Sequence, residues 1–352
     1  MSSVETFGVI GSGEFGRVVA EHLAPNGSDV LVFDNNQEAQ QPKNTTRVDF
    51  SSIAKADIVV VAVPFDSYSS LIPELAEASS ASSLIVDVCS VKVRPTEVFE
   101  AHGLLARENT LMTHPLFGPQ SLGADTGKNV VVTKQSGVLA DDLLEAWSDK
   151  GINRIDMTAE EHDREMAQVH VLPFIIGRGL LTMGITESSL GTNHFDKLLK
   201  LVDVEQHHSP ELFRTIQRHN PFASDARTNL ITTLCTLHTL IGAEGDTFSE
   251  AEAASGELSE FRGMVDVIDE LRTVLLGLRF GVTDRIGCLK AEHGLPSKNP
   301  ERERTQLYRI EEIAGKNGAP PELVSSTQQL VMDEVVRRHD EQKRAQGSTT
   351  KT

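Results

Sequence analysis

A chain of 352 residues is more than one ordinary hydrophobic core organises, so two or three domains are expected. Its 39 % hydrophobic and 24 % charged residues mark a globular protein. A net charge of -18 opposes binding to nucleic acid or to an anionic membrane, and any anionic ligand needs a locally basic pocket.

The cysteines, Cys89, Cys235 and Cys288, have no metal-ligand spacing, and their odd number gives no disulfide framework. Buried or inert thiols in a reducing compartment are expected, and no metal centre. The N-terminus runs almost directly into a strand pattern, with no signal-peptide layout before it. The apolar run from Ile58 to Phe65 is too short to cross a bilayer. A cytoplasmic protein that does not span a membrane is the expectation.

Residues 1–155 alternate β-branched runs with helical stretches. The strands read TFGVIG, DVLVFD, DIVVVAVP, SLIVDVCS and NVVVT. Most are nearly continuous in apolar residues, as parallel strands covered on both faces are. The pattern predicts a doubly wound α/β domain of the Rossmann type. Residues 156–250 show no strand pattern and predict an all-α second domain. Thr158 with Glu161 forms a capping-box signature at its start. Pro173 predicts either a kink in that first helix or a break near one end.

Residues 251–345 predict a third, all-α domain of three helices. No proline occurs from Ser255 to His293. Apolar residues at Leu258, Phe261, Val265, Ile268, Leu271, Leu275, Leu278, Val282, Ile286 and Leu289 form one stripe on a helix of about 55 Å. Such a stripe needs partner helices. Two follow, over about Pro300 to Lys316 and Pro321 to Arg344. Residues 346–352 are read as a frayed tail.

Gly11, Ser12, Gly13, Glu14, Phe15 and Gly16 form GSGEFG between the first strand and the first helix. The first glycine permits a tight turn, the second lets the backbone approach a pyrophosphate, and the third lets helix and strand pack closely. The helix N-terminus offers free N–H groups to phosphates. Asp34 ends the second strand, where a carboxylate accepts the adenosine ribose hydroxyls and repels a 2′-phosphate. The cofactor predicted is NAD.

Further along, AVP (Ala62 to Pro64), DVCSVK (Asp87 to Lys92), THPLFGPQS (Thr113 to Ser121) and EEHDREMA (Glu160 to Ala167) stand at informative places. With them, residues 5 to 240 resemble the prephenate and arogenate dehydrogenase family. The resemblance implies that His114 acts as the base-like catalytic residue, Ser90 orients the substrate hydroxyl, Gln120 contacts substrate and Val63 contacts NAD. The chemistry agrees: oxidising a carbinol by hydride transfer needs a group to take the hydroxyl proton, and a neutral imidazole suits it. For Ser90 a helix N-cap is a second role. The family's carboxylate-binding arginine aligns with Lys197, which cannot make the bidentate fork and leaves arogenate open as substrate. Phe174 stands where many members have a histidine. His170, one turn earlier, is either its substitute or core. His162 and Asp163 match the family and are read as structure rather than chemistry.

The last ninety or so residues resemble the all-helical chorismate mutases, without a gap from Arg262 to His339. That reaction rearranges a dianion with no nucleophile and no proton transfer, so catalysis must hold the compact conformer and stabilise charge at the breaking ether oxygen. The resemblance assigns Arg262, Arg279, Lys290 and Arg302 as cations and Glu303 to the substrate hydroxyl. Arg279 and Lys290 are eleven residues apart, three helical turns, and so share a face; Arg262 does not. In the family that arginine enters the partner's site, which implies a homodimer. Departures from the family are Asn299, Val335 and His339. His339 replaces a glutamine that donates to the ether oxygen, so an unusual pH dependence is expected.

Together these readings predict a bifunctional enzyme of tyrosine biosynthesis. It would make prephenate from chorismate and oxidise it with NAD to 4-hydroxyphenylpyruvate. The alternatives are an arogenate dehydrogenase whose mutase-like part only senses ligand or dimerises, and a generic hydroxyacid dehydrogenase with a helical tail.

Overall fold

The structure, a computed structural model, describes residues 4–119, 128–243 and 253–349; Gln120 lies outside them. It divides into two compact units, Met1–Thr232 and Thr233–Thr352. Among the described residues no helix is long and apolar enough to cross a membrane.

The first unit holds an eight-stranded sheet. Its strands are β1 (Thr6–Ile10), β2 (Asp29–Phe33), β3 (Thr46–Arg47), β4 (Ile58–Val61), β5 (Leu84–Asp87), β6 (Thr110–Pro115), β7 (Lys128–Ser136) and β8 (Ile152–Asp156), in the order β3-β2-β1-β4-β5-β6-β7-β8. Period-two alternation sends neighbouring residues to opposite faces, and two separate cores result. Phe7, Val9, Ile58, Val60, Leu84 and Val86 enter one with Trp147. Ile10, Val59, Val61, Ile85 and Met112 enter the other with Tyr68 and Phe99. Helices α1 (Glu14–Val18), α2 (Phe50–Ile53), α3 (Tyr68–Ala78), α4 (Val93–Ala101) and α5 (Val138–Asp149) intersperse the strands.

The five strands read from sequence correspond to β1, β2, β4, β5 and β7. Three were not read as strands. β3 has only two residues and β8 is mostly exposed at the sheet edge. β6 is buried at all six positions, but its Thr and His residues hide it from a hydropathy pattern. The sheet also departs from all-parallel pairing, because β6 and β7 run antiparallel.

Helices α6 (Ala159–Met166), α7 (Leu172–Thr182), α8 (Asn193–Gln206), α9 (Pro210–His219) and α10 (Ala223–Ala243) follow. Thr158 and Glu161 form the expected capping box. A π-helical turn, Ala167–Val171, joins α6 to α7 and puts Pro173 in the first turn of α7, where its missing N–H is not needed. The helix therefore does not break: it runs on through this turn, and Pro173 is taken up by the local change of helical register.

The second unit is built on α11 (Ala253–Glu292), α12 (Pro300–Lys316) and α13 (Pro321–Thr349). α13 stays helical to Thr349, against the frayed tail expected from residue 346; residues 350–352 lie outside the described residues. The side chains of Leu258 and Phe261 lie outside the described residues, but the rest of the α11 stripe does not. Of the cysteines, Cys89 is buried, Cys235 is half-buried and Cys288 is exposed.

Candidate active sites

The glycine loop, AVP, DVCSVK and the described part of THPLFGPQS lie at the C-terminal ends of β1, β4, β5 and β6, where ligands bind in such sheets, whereas EEHDREMA lies on α6. The glycine loop follows β1. Gly11 has φ +103, and a Cβ there would stand 2.4 Å from the Ala62 carbonyl oxygen and 3.0 Å from Val63. A Cβ on Gly16 would meet the Gly11 carbonyl oxygen at 1.9 Å. Gly13, in contrast, has open space within 4 Å of its would-be Cβ, as an approaching pyrophosphate requires. Ser12 is buried with its Oγ unpartnered. Glu14 opens α1 and is exposed, while Phe15 is half-buried, 6.4 Å from the Phe117 ring. Asp34, directly after β2, accepts the Ser12 N–H at 2.6 Å and the Asn36 N–H at 2.8 Å, so it ties the loop together. These residues fit a dinucleotide, which would supply a hydride acceptor when bound.

β6 presents His114. A register shift between Met112 and Thr113 precedes it, the kind of bulge that re-aims a side chain. His114 is 4 % exposed, and its Nδ1 lies 2.8 Å from His162 Nε2. His162 Nδ1 lies 2.8 Å from Asp163 Oδ1. Asp163 also accepts the N–H groups of Lys92 and Val93, at 2.8 and 2.9 Å, and so caps the start of α4. A carboxylate only accepts, so His162 Nδ1 carries its proton. A neutral imidazole has one N–H, so His162 Nε2 is an acceptor and His114 Nδ1 donates to it. His114 Nε2 is left bare, as a general base requires.

Burial, with His162, His170 and Lys92 nearby, holds His114 well below the usual histidine pKa. Burial likewise lowers His162, against the opposing pull of Asp163, and brings His170 to about 4. The His170 ring stacks on His114 at 5.8 Å, and Phe174 and His208 continue the column. His170 thus faces His114, while Phe174 packs in a core cluster with Val171 and Ile216.

Beneath this cluster the fully buried Lys92 ammonium bonds the Asp87 carboxylate and the Thr113 carbonyl. Asp87 also accepts the Tyr68 hydroxyl at 2.5 Å. Burial, joined by Asp87, pushes the Tyr68 hydroxyl up and takes the Cys89 thiol to about 12, so that thiol is inert. Ser90 is half-buried in the loop that follows β5, the strand next to that of His114. The N-cap of α4 is Lys92, so Ser90 does not have the second role foreseen for it.

Sequence reasoning missed the His114–His162–Asp163 series. The adjacent His-Asp pair was its only signal, and one pair of letters does not reveal a third residue from a distant strand. Lys197 is exposed on α8, and the structure does not bring it to the histidine cluster. On α7, Arg178 bonds the buried Glu205 at 2.9 Å. Asp66, just after β4, holds His219 of α9 at 2.8 Å.

In the second unit a cavity of about 370 Å³ is lined by Arg279, Lys290, Asn299, Arg302, Glu303, and by Val335 and His339 among others. One Arg279 guanidinium nitrogen is buried without a partner, and burial lowers its pKa. Lys290 donates to the Ser297 carbonyl at 2.8 Å, and Glu303 lies 3.6 Å from Lys298. Asn299 caps α12 by accepting the Arg302 N–H at 3.1 Å, as an aspartate would. His339 is buried. Its Nε2 lies 2.6 Å from the Thr283 carbonyl and its Nδ1 has no partner. Arg262 is exposed and does not line the cavity.

Residues 19–157 match the family described as prephenate dehydrogenase, nucleotide-binding domain. Residues 261–340 match chorismate mutase type II, and 179–249 match the TYRAAT1-like C-terminal domain. Arogenate dehydrogenase 2 of Arabidopsis thaliana is 26 % identical over 249 residues, covering 63 % of this chain and 66 % of that protein. The T-protein of Haemophilus influenzae is 29 % identical over 166 residues, covering 46 % and 40 %. The chain thus spans less than two thirds of the length of either. Prephenate dehydrogenase from A. aeolicus, solved with hydroxyphenyl propionate and NAD+, shares the fold at TM-score 0.54 and 18 % identity, over 77 % of this chain and 99 % of that one. The chain therefore joins a nucleotide-binding domain of the prephenate/arogenate dehydrogenase family to a C-terminal domain of the type II chorismate mutase family.

Proposed function

We propose that this chain converts chorismate to prephenate and then oxidatively decarboxylates prephenate to 4-hydroxyphenylpyruvate with NAD. The observation that carries the reading is the cavity of the second unit. Arg279, Lys290 and Arg302 surround it on a chain with net charge -18, and an Arg279 nitrogen is buried with nothing to bond. Isolated buried cations are costly, and a dianion removes the cost. The dehydrogenase part would consume the product that this cavity would make.

In the first unit His114 Nε2 takes the hydroxyl proton while Ser90 orients the hydroxyl. When bound, NAD accepts the hydride. Asp34 supports NAD over NADP, since its carboxylate would repel a 2′-phosphate. The nearby Arg47 guanidinium does not offset this, because it bonds the carbonyls of Asn36, Gln37 and Ala39. Arg262, facing away from the cavity of its own chain, supports a homodimer in which it enters the partner's site. Val63 is assigned to the dinucleotide by its place beside Gly11. Lys197 is proposed for the substrate's side-chain carboxylate only by its place in the sequence.

The exposure of Lys197 favours a second reading, in which arogenate is the substrate oxidised. Turnover of prephenate and arogenate, each with NAD and NADP, separates the two. Prephenate with NAD is expected to be fastest. His114→Asn is expected to lower that rate by roughly 10²–10⁴-fold while chorismate loss is unchanged. Faster arogenate turnover would favour the second reading, and wild-type dehydrogenase rates in His114→Asn would remove His114 from the mechanism.

A further inference from the structure

The series His114–His162–Asp163 does more than hold a ring in place. We propose that His162 is a positioning residue that receives the charge of the dehydrogenase step, so that His114 is never left as a cation. This rests on the dehydrogenase reading above.

The proton steps balance. The substrate O–H breaks as a bond forms to His114 Nε2. The His114 Nδ1–H breaks as a bond forms to His162 Nε2, across a contact of 2.8 Å. His114 ends neutral in its other tautomer. His162 ends with both nitrogens protonated, its Nδ1 against the Asp163 carboxylate at 2.8 Å. The hydride would pass to a bound nicotinamide dinucleotide; loss of the ring carboxylate as CO2 would leave a phenolate oxygen that takes the proton back from the pair, and Asp163 keeps its charge throughout.

The surroundings give this direction. His114 touches no anion among the described residues. It faces His170 from the π-helical turn, which is neutral, and the Lys92 ammonium acts on it from the loop before α4. Lys92 is matched by Asp87, but that carboxylate is also engaged by Tyr68. His162 meets the same Lys92 but touches Asp163 directly, and both carboxylates favour its charged form. A cation is therefore better placed on the second ring, 5.0 Å from the first. A carboxylate directly on His114 would have favoured the charged base before the substrate arrived. The intervening neutral ring avoids that.

The test uses the full chain. With ¹⁵N-labelled histidine at pH 7, both Nδ1 atoms of His114 and His162 are expected to be protonated and both Nε2 atoms bare. In His162→Gln the amide can accept from His114 and donate to Asp163, so orientation survives but no proton can be held. We expect kcat to fall roughly ten- to hundredfold. KM and NAD affinity should stay near wild type. The acid limb of kcat/KM should move to lower pH, because protonating His114 alone is harder than protonating the pair. His162→Ala, which loses orientation too, should be slower still. Wild-type kcat and an unmoved acid limb in His162→Gln would overturn the relay, and so would a protonated His162 Nε2 in the resting protein. If the wild-type chain oxidises neither prephenate nor arogenate, the dehydrogenase reading itself fails, and the relay with it.

Discussion

The histidines of the first unit make stability depend on pH in a definite direction. Burial lowers His114, His162 and His170 in the folded chain, His170 to about 4. In the unfolded chain such groups titrate near about 6.5. Below that value the unfolded state binds more protons, so the stabilisation is full above about pH 6.5 and declines as pH falls toward the folded values. Each group costs roughly 1.4 kcal/mol for every pH unit crossed in that window. The melting temperature should fall from pH 7 toward 4, and less steeply in His170→Gln. Equal slopes in the two proteins would mean that His170 is not held neutral.

His339 concerns activity rather than stability. A carbonyl only accepts, so the ring donates from Nε2 to Thr283 and a neutral ring has only a bare Nδ1 to offer. It can donate to a substrate oxygen from that atom only after gaining a proton. Arg279, Lys290, Arg302 and Glu303 line the same cavity, and the Asp284–Arg338 pair spans the adjoining faces of α11 and α13. His339→Gln, with a permanent amide donor, is predicted to raise chorismate turnover; an unchanged rate would sink this role.

At the scale of elements, α11 is a long helix with part of its apolar stripe uncovered. Val265, Ile268, Leu275, Leu278, Val282 and Leu289 are all exposed, Leu278 at 64 %. Each such side chain stands to gain roughly 1.5–3 kcal/mol on burial. A second copy of the chain, packed along this stripe, is the expected cover. Leu275→Glu with Leu278→Glu should convert a dimer to monomer in sedimentation, with loss of helicity. A wild-type chain that is monomeric at micromolar concentration would contradict this. The π-helical turn is a second case where an element's irregularity carries meaning: it accommodates Pro173 and delivers His170 to the site.

For the whole molecule, the sheet and the long helices were legible because each follows one period of hydropathy. β6 was not, since Thr110, Thr113 and His114 are buried for reasons of hydrogen bonding rather than transfer to oil. The reversal of β7 was invisible because direction leaves no trace in a short apolar run. The cations of the second unit were legible through the family resemblance; spacing alone joined only Arg279 and Lys290 on one face of α11, while Arg302 lies on α12 and Arg262 does not line the cavity. The histidine series was not, because His114 and His162 are 48 positions apart and meet only through the fold.

Asp163 also ties activity to folding. Its carboxylate caps the first turn of α4 while holding the His162 ring from α6. α4 continues from the sheet's β5, and α6 leads into the helices that follow β8. On the proposed mechanism, the proton acceptor His114 therefore acquires its bare nitrogen only once these two stretches have met. A partly assembled chain with an intact dinucleotide loop would then be chemically silent. The same three hydrogen bonds that complete the architecture act as an interlock, which arms the enzyme only when its parts are in place.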